Sequence, residues 1–365
     1  MAGMDASRRV TQRDIAERAK VHRATVSLAL RDLPCIPAAT RARIQKIATE
    51  LGYEPDPMLS ALATYRERQR PVSFHGNLAW LVNTANHFDW QHHPYFSCYF
   101  KGAEERARRY GFQLEIHDLH TSGMTPDRLA RILRARNISG ILLCPQPSPG
   151  TELEFPWQHF SAVTFGYTLS KPGLHTVVST QYRAALTVMR ELRLLGYRRI
   201  GCMMARQHDL RADHNYLAGY LVDEVLARQG TLPIPPWIED AQDNSSLSRW
   251  LKTCQPDALL VGSTGFLEKL QRLGLRIPDE IGVACPCLRS TETPLAGVAE
   301  PSFHIGEVAV DFLVAMVHRN ERGIPDYPQR LHVEGRWHAG LSVRAAPEKT
   351  VRGKRESRQA RPLQT

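Results

Sequence analysis

Arg23, Ala24, Ser27 and Leu28 stand at i, i+1, i+4 and i+5 of a predicted helix over 23–30, so they share one face. That face opens with a guanidinium and carries no acid, which suits contact with a polyanion. Val26, Ala29 and Leu30 fall on the opposite side. A helix of about two turns does not persist alone, so its neighbours must hold it. Upstream, a helix over 12–19 has Thr11 as N-cap, Asp14 at the third helical position and Ile15, Ala16 and Ala19 inward. Lys20-Val21-His22 is the turn. Downstream, a helix over 40–51 turns Ile44, Ile47, Ala48 and Leu51 inward and is stopped by Gly52. Three short helices of this kind make a helix-turn-helix with a supporting third helix.

Other reactive side chains form no constellation. The seven cysteines (35, 98, 144, 202, 254, 285, 287) include no Cys-x-x-Cys, so neither a zinc site nor a disulfide framework is expected. Cys285 and Cys287 lie close, but no histidine is near them in sequence. His87, His92 and His93 flank Trp90 and read as a solvated loop. There is no glycine-rich phosphate loop and no Gly-x-Ser-x-Gly turn. The expectation is therefore a non-enzyme with no cofactor and no metal.

The formal charge of +10 sits at the ends: residues 1–70 carry 13 Lys/Arg against 8 Asp/Glu, and 345–365 carry 6 against 2. A basic head on a near-neutral body fits a nucleic-acid contact made by one part of the chain. The opening MAGMDASRRV lacks the apolar run of a signal peptide, and no stretch approaches the roughly 20 apolar residues of a membrane span, which predicts a cytoplasmic location and no membrane partner.

The body alternates apolar runs with amphipathic segments. Strands are predicted over 77–82, 112–116, 140–144, 162–165, 199–204, 258–261, 282–285 and 329–334. Helices are predicted over 99–110, 125–136, 182–195, 215–229, 247–254 and 304–320. Repeated βα units imply parallel strands with right-handed crossovers and helices on both faces, here in two similar halves.

The identities in the head are more specific than its periodicity. Val10-Thr11-x-x-Asp14-Ile15-Ala16-x-x-Ala19-x-Val21-x-x-x-Thr25-Val26-Ser27, continued by Thr40-Arg41 and Leu51-Gly52-Tyr53-x-Pro55, closely resembles the opening of the LacI/GalR family of transcription regulators. The resemblance implies that the second helix enters the major groove and that two headpieces read a near-palindromic double-stranded DNA operator. Arg23, Ala24 and Leu28 match the base-reading positions; Arg23 suits guanine and Leu28 a thymine methyl. Thr11, Thr25 and Ser27 suit phosphate contacts. Lys20 stands where the family usually has the turn glycine, and His22 where a serine caps the recognition helix; both side chains have the length to reach phosphate.

By the same resemblance, Asp56 to Ala63 is a hinge helix that orders on DNA, with Leu62 as the wedge in the minor groove. The body echoes the family in Gly102-Ala103-x-x-x-Ala107, Leu195-Gly196-Tyr197, Ile277-Pro278-Asp279-Glu280-Ile281-Gly282 and Ile305-Gly306-x-x-Ala309. The expected fold is an N-terminal all-α helix-turn-helix headpiece (8–55), a hinge and linker (56–71), an α/β periplasmic-binding-protein-like core of two parallel-sheet subdomains (72–344), and a basic tail (345–365).

A homodimer and a small, sugar-like effector in the cleft of the core are implied. Loop positions after strands nominate Asn83, Phe88 and Trp90 in the first half and Ser263 and Thr264 in the second. Tyr216 and Cys287 occupy positions where the family often carries an arginine and an aspartate that hold sugar hydroxyls. The pocket is therefore expected to use other groups, such as Asp213 or Glu300, to take an unusual ligand, or to have lost effector binding. Repression is the common direction in the family. Activation stays open, and a transport-type binding protein is the distant alternative.

Overall fold

The computed structural model describes residues 10–30, 36–53, 74–84, 89–227, 233–239 and 244–345. The hinge residues, Leu62 among them, Phe88 and the basic tail lie outside the described residues.

The headpiece comprises α1 (Gln12–Ala19), α2 (Arg23–Leu30) and α3 (Ala38–Glu50). Its core is Ile15, Ala16, Ala19, Val26, Ala29, Ile44 and Ala48, with Ile47 and Leu51 partly buried around it. α3 starts two residues before the predicted boundary, with Pro37 at the N-cap position.

The chain divides into two units, each drawn from separate stretches of the sequence and each carrying an α/β sheet. The first includes the chain up to Ser179 and Ser302–Val333; the second holds Thr180–Pro301 and the chain from Glu334. Unit 1 contains β1 (Gly76–Val82), α4 (Pro94–Arg109), β2 (Phe112–Asp118), α5 (Pro126–Ala135), β3 (Gly140–Leu143), β4 (Thr151–Glu152), β5 (Ser161–Phe165), β6 (Leu169–Lys171) and β7 (His175–Ser179). Unit 2 contains α6 (Gln181–Leu194), β8 (Ile200–Ala205), α7 (Arg206–Arg211), α8 (Asn215–Ala227), β9 (Trp237–Glu239), α9 (Asn244–Cys254), β10 (Ala258–Val261), α10 (Gly265–Arg272), β11 (Gly282–Leu288) and β12 (Ala296–Ala299). The chain then returns α11 (Ser302–Arg319) and β13 (Arg330–Val333) to unit 1 and β14 (Arg336–His338) to unit 2.

Sheet 1 runs β13-β7-β5-β3-β1-β2 with every pair parallel. Sheet 2 runs β14-β12-β11-β10-β8-β9 and is parallel except for β14. Successive strand residues face opposite ways, and β1 shows the result. Leu78, Trp80 and Val82 join the core under α4 and α11, while Ala79 and Leu81 join the core under α5.

The small-residue echoes mark close crossings. A Cβ on Gly102 would lie 1.9 Å from the Phe303 carbonyl oxygen, and one on Gly306 would lie 2.0 Å from that of Tyr99, so α4 and α11 touch backbone to backbone. In unit 2, a Cβ on Gly219 would lie 2.7 Å from both Ala185 Cβ and the Tyr182 carbonyl oxygen, where α8 meets α6. No helix among the described residues is long and apolar enough to cross a membrane.

Two boundaries and one side chain depart from expectation in ways that bear on function. α4 begins at Pro94, five residues before the predicted start, because proline suits the first helical position. Strand β11 runs to Leu288, so Cys287 lies within the strand and not in a loop after it. Pro286 sits where the pairing with β12 shifts register between Cys285 and Leu288, a place that tolerates a residue without an N–H. Trp90 is no open stacking platform. It is 7% exposed and packs on Trp80 and Phe100 with ring centroids 5.7 and 5.3 Å away.

Candidate functional site

The exposed face of the headpiece is built from its caps outward. Thr11 is extended, and the Asp14 carboxylate accepts its backbone N–H and its hydroxyl, each at 2.7 Å. α1 ends on Lys20, which is left-handed (φ 53°, ψ 47°) and whose N–H meets the carbonyls of Ala16 and Glu17. The chain then enters α2 through His22. The His22 carbonyl accepts from Thr25 and Val26 at 2.9 and 3.2 Å, and its ring Nδ1 accepts the Ala24 N–H at 3.2 Å. An imidazole therefore does the capping that a hydroxyl does at most helix starts.

Val26 and Ala29 anchor α2, leaving Arg23 and Ala24 exposed and Thr25, Ser27 and Leu28 half-buried. The third helix fixes the other two through side chains that meet carbonyls at their ends. Gln45 donates to Ala29 at 3.2 Å and Arg43 to Ala19 at 3.4 Å, while Arg41 donates to Ile36, just ahead of α3, at 2.7 Å.

In unit 1 the strand order reverses beside β1, between the crossovers to β2 and to β3, which is where open α/β sheets present a crevice beyond their carboxyl ends. Asn83 follows β1 and Gln146 follows β3. The Asn83 amide donates to Gln146 Oε1 at 2.9 Å, and His120, after β2, lies with Nε2 3.0 Å from Asn83 Oδ1. Gln146 is fully buried; its side-chain amide donates to the Cys144 carbonyl at 2.6 Å and its N–H to Thr168 Oγ1 at 3.0 Å. Sequence reasoning found Asn83 but missed Gln146, His120 and Thr168. The available signal was their place just after strands; Pro145-Gln146-Pro147 reads as a plain turn. His92 pairs with Asp89, and the His93 ring lies 4.0 Å from that of Phe96.

In unit 2 the reversal lies between β8 and β10, and softer groups gather there. The His208 ring stacks on Tyr216 at 5.5 Å and 24°, with Nε2 3.7 Å from Cys287 Sγ. Cys287 Sγ donates to the Gly262 carbonyl at 3.3 Å and lies 3.6 Å from Cys285 Sγ. The hydrogen bond with Cys285 and burial push the Cys287 thiol well above its ordinary pKa, so it stays protonated and donates. Ser263 and Thr264 follow β10 and are half-buried.

The structure thus brings Tyr216 and Cys287 together around His208, which sequence reasoning missed. Asp213 stands apart in the α7–α8 turn, where it and His214 are both left-handed (φ 50° and 58°). The buried Asp209 carboxylate holds His214 Nδ1 at 2.6 Å. Glu300, half-buried after β12, donates its N–H to the Leu288 carbonyl at 2.9 Å. Among the described residues, no three His, Cys, Asp or Glu side chains converge to hold a metal ion.

A helix-turn-helix with an exposed basic face, followed by two α/β units with polar groups at their strand reversals, defines a DNA-binding transcription regulator with a ligand-binding core. Residues 11–56 match the model for bacterial regulatory proteins of the lacI family, and residues 189–343 match the periplasmic binding protein-like domain. The chain thus carries a lacI-family helix-turn-helix domain and a periplasmic-binding-protein-like domain.

Among its relatives, the HTH-type transcriptional repressor CytR of Escherichia coli K12 is 26% identical over 319 residues, covering 83% of this chain and 89% of that one. The HTH-type transcriptional regulator GntR of the same strain is 24% identical over 328 residues, covering 85% and 92%. Two solved structures share the fold. The transcriptional regulator CelR–cellobiose complex has TM-score 0.54 at 21% identity, covering 92% of this chain and 100% of that one. The lac repressor dimer bound to operator and the anti-inducer ONPF has TM-score 0.50 at 19% identity, covering 93% and 100%.

Proposed function

We propose that the protein acts in the cytoplasm as a homodimeric repressor. It binds a near-palindromic operator, and a small ligand at the carboxyl-terminal strand ends of its core sets its affinity. The observation that carries the reading is the exposed start of α2, where Arg23 and Ala24 face solvent beside the half-buried Ser27 and Leu28. Arg23 reads guanine through its two-pronged guanidinium, while Leu28 and Ala24 meet thymine methyls. Thr11, Thr25 and Ser27 contact phosphate. Leu62 is the minor-groove wedge.

The named relatives include a repressor, and one neighbour was solved with cellobiose, which supports repression and a sugar-like effector. Taken unit by unit, the groups proposed for ligand contact are Asn83, Gln146 and His120 at the reversal of unit 1, with Phe88 and Trp90 nearby in sequence, and His208, Tyr216, Ser263, Thr264 and Cys287 at that of unit 2, with Asp213 and Glu300 as further candidates. Ligand binding changes DNA affinity by a coupling free energy of about 1–3 kcal/mol. Burial of Tyr216 and Cys287 (3% and 5% exposed) favours a second reading, in which the effector is less hydroxylated than a sugar.

The test is to select a duplex from a random-sequence pool with the full chain and then to screen sugars, nucleosides and amino acids by thermal shift, since a ligand raises apparent stability by mass action. A two-fold-related consensus and a sugar that both shifts the melt and releases the duplex are expected. A consensus without symmetry would remove the dimer, and a melt moved only by non-sugars would remove the sugar.

A further inference from the structure

Cys285 and Cys287 stand two apart on β11, so strand alternation turns them to the same face. Pro286 between them lacks a ladder donor and restricts Cys285 to extended backbone, at the register shift with β12. The two side chains lean together to a Sγ–Sγ distance of 3.6 Å, and both are deeply buried (0% and 5% exposed). No histidine is near them in sequence, but the fold supplies one. His208, 79 positions away, has its Nε2 3.7 Å from Cys287 Sγ, and the Gly262 carbonyl lies 3.3 Å from the same sulfur.

We propose that Cys285 and Cys287 form a two-coordinate site for a soft monovalent cation of the cuprous or silver class. Thiolate sulfur selects soft cations, whereas Mg²⁺ and Ca²⁺ take oxygen ligands. Structural zinc takes four ligands, and among the described residues no three His, Cys, Asp or Glu side chains converge on a metal position. A cation satisfied by two sulfurs is the one that fits. Two metal–sulfur bonds of about 2.3 Å, the zinc–thiolate length, span the 3.6 Å between the sulfurs in a bent unit, and turning either side chain opens the angle.

Binding forms two metal–sulfur bonds and releases the two thiol protons, and His208 Nε2 is a base within reach of Cys287 to receive one of them. The site stands at the strand reversal of unit 2, beside the groups proposed for an organic effector, and adds to that reading a ligand of a different class. It does not depend on the DNA-reading face, and its test needs no DNA.

The test uses the full chain, reduced with a phosphine and titrated with Cu(I) in competition with bicinchoninate. Wild type should hold one Cu(I) per chain against the chelator. Cys285→Ser and Cys287→Ser should each weaken that equivalent by about a hundredfold or more, because loss of a group that only orients a metal ligand already costs about 10–100-fold. Cys98 and Cys254 are partly exposed thiols; Cys35→Ser, Cys98→Ser and Cys254→Ser together should leave the equivalent in place. X-ray absorption of the loaded wild type, which needs no variant to fold, should give a shell of two sulfurs. The site is wrong if wild type surrenders the equivalent to the chelator, if either Cys285→Ser or Cys287→Ser retains it, if the triple replacement loses it, or if the shell holds fewer or more than two sulfurs.

Discussion

At the strand reversal of unit 1, two amides and an imidazole are joined by hydrogen bonds of 2.9 and 3.0 Å. At that of unit 2, a thiol lies 3.6 Å from a second thiol and 3.7 Å from an imidazole stacked on a tyrosine. The surrounding construction is the same: six strands, a reversal beside the first strand of the unit, and a glycine-mediated helix crossing. What differs is the polarity of the groups the frame presents. A buried amide such as Gln146 demands partners for every donor and acceptor, whereas a protonated thiol tolerates weak ones. Unit 1 is therefore specified by hydrogen bonds at its strand reversal, and unit 2 by packing.

The largest expected effects test the shared frame. Gly102→Ala places a Cβ 1.9 Å from a backbone oxygen that cannot swing aside, and it should cost about 3 kcal/mol. Gly219→Ala meets its neighbours at 2.7 Å and should cost about half as much, near 1.5 kcal/mol. Denaturant melts of the full chain check the order; equal losses would mean that the two crossings are not built to different tolerances.

The next contrast separates the reversals. Gln146→Leu leaves the Asn83 amide and the Cys144 carbonyl without their side-chain partner and should cost about 2–3 kcal/mol. Cys287→Ala removes a weak donor and one sulfur's volume and should cost about 1 kcal/mol. A Cys287→Ala loss as large as that of Gln146→Leu would erase the distinction.

A smaller effect is pH-dependent. Burial holds His117 on β2 and His175 on β7 below the ordinary histidine pKa, and both belong to unit 1. The unfolded chain takes up protons near pH 6.5 that these folded sites refuse. Their contribution is thus complete above about pH 6.5 and is lost as the pH falls from there towards the folded pKa values. Replacing both by Gln should flatten the stability profile below about pH 6.5. A profile unchanged by the double replacement would assign the acid loss to other groups.

Elements with a clear periodic or unbroken apolar run were legible in the sequence: α1 to α3, β1, α5, α6 and β10 fall within a few residues of their predicted ranges. Others were not: α7, β9, α10, β12 and β14 have three to eight residues without such a run and are held by pairing and packing. The sequence nominates side chains that follow predicted strands, which reaches Asn83 and Ser263. It does not reveal Gln146 or His208, because their neighbours are fixed by the strand order and come from residues up to 79 positions away. Trp90 misled because an aromatic in a loop looks available until the core it closes is seen. His22 replaces a serine in the sequence, and only the geometry shows its ring nitrogen accepting the Ala24 N–H as a cap does.

The central claim is that the exposed face of α2 reads bases, and base substitution tests it most directly. The selected operator is varied one base pair at a time, and wild type and Arg23→Ala are titrated against each variant at fixed salt. The account predicts that wild type loses about 1–3 kcal/mol at one guanine in each half-site and that Arg23→Ala loses that discrimination there while keeping it elsewhere. A variant that keeps the full wild-type pattern of discrimination would contradict it.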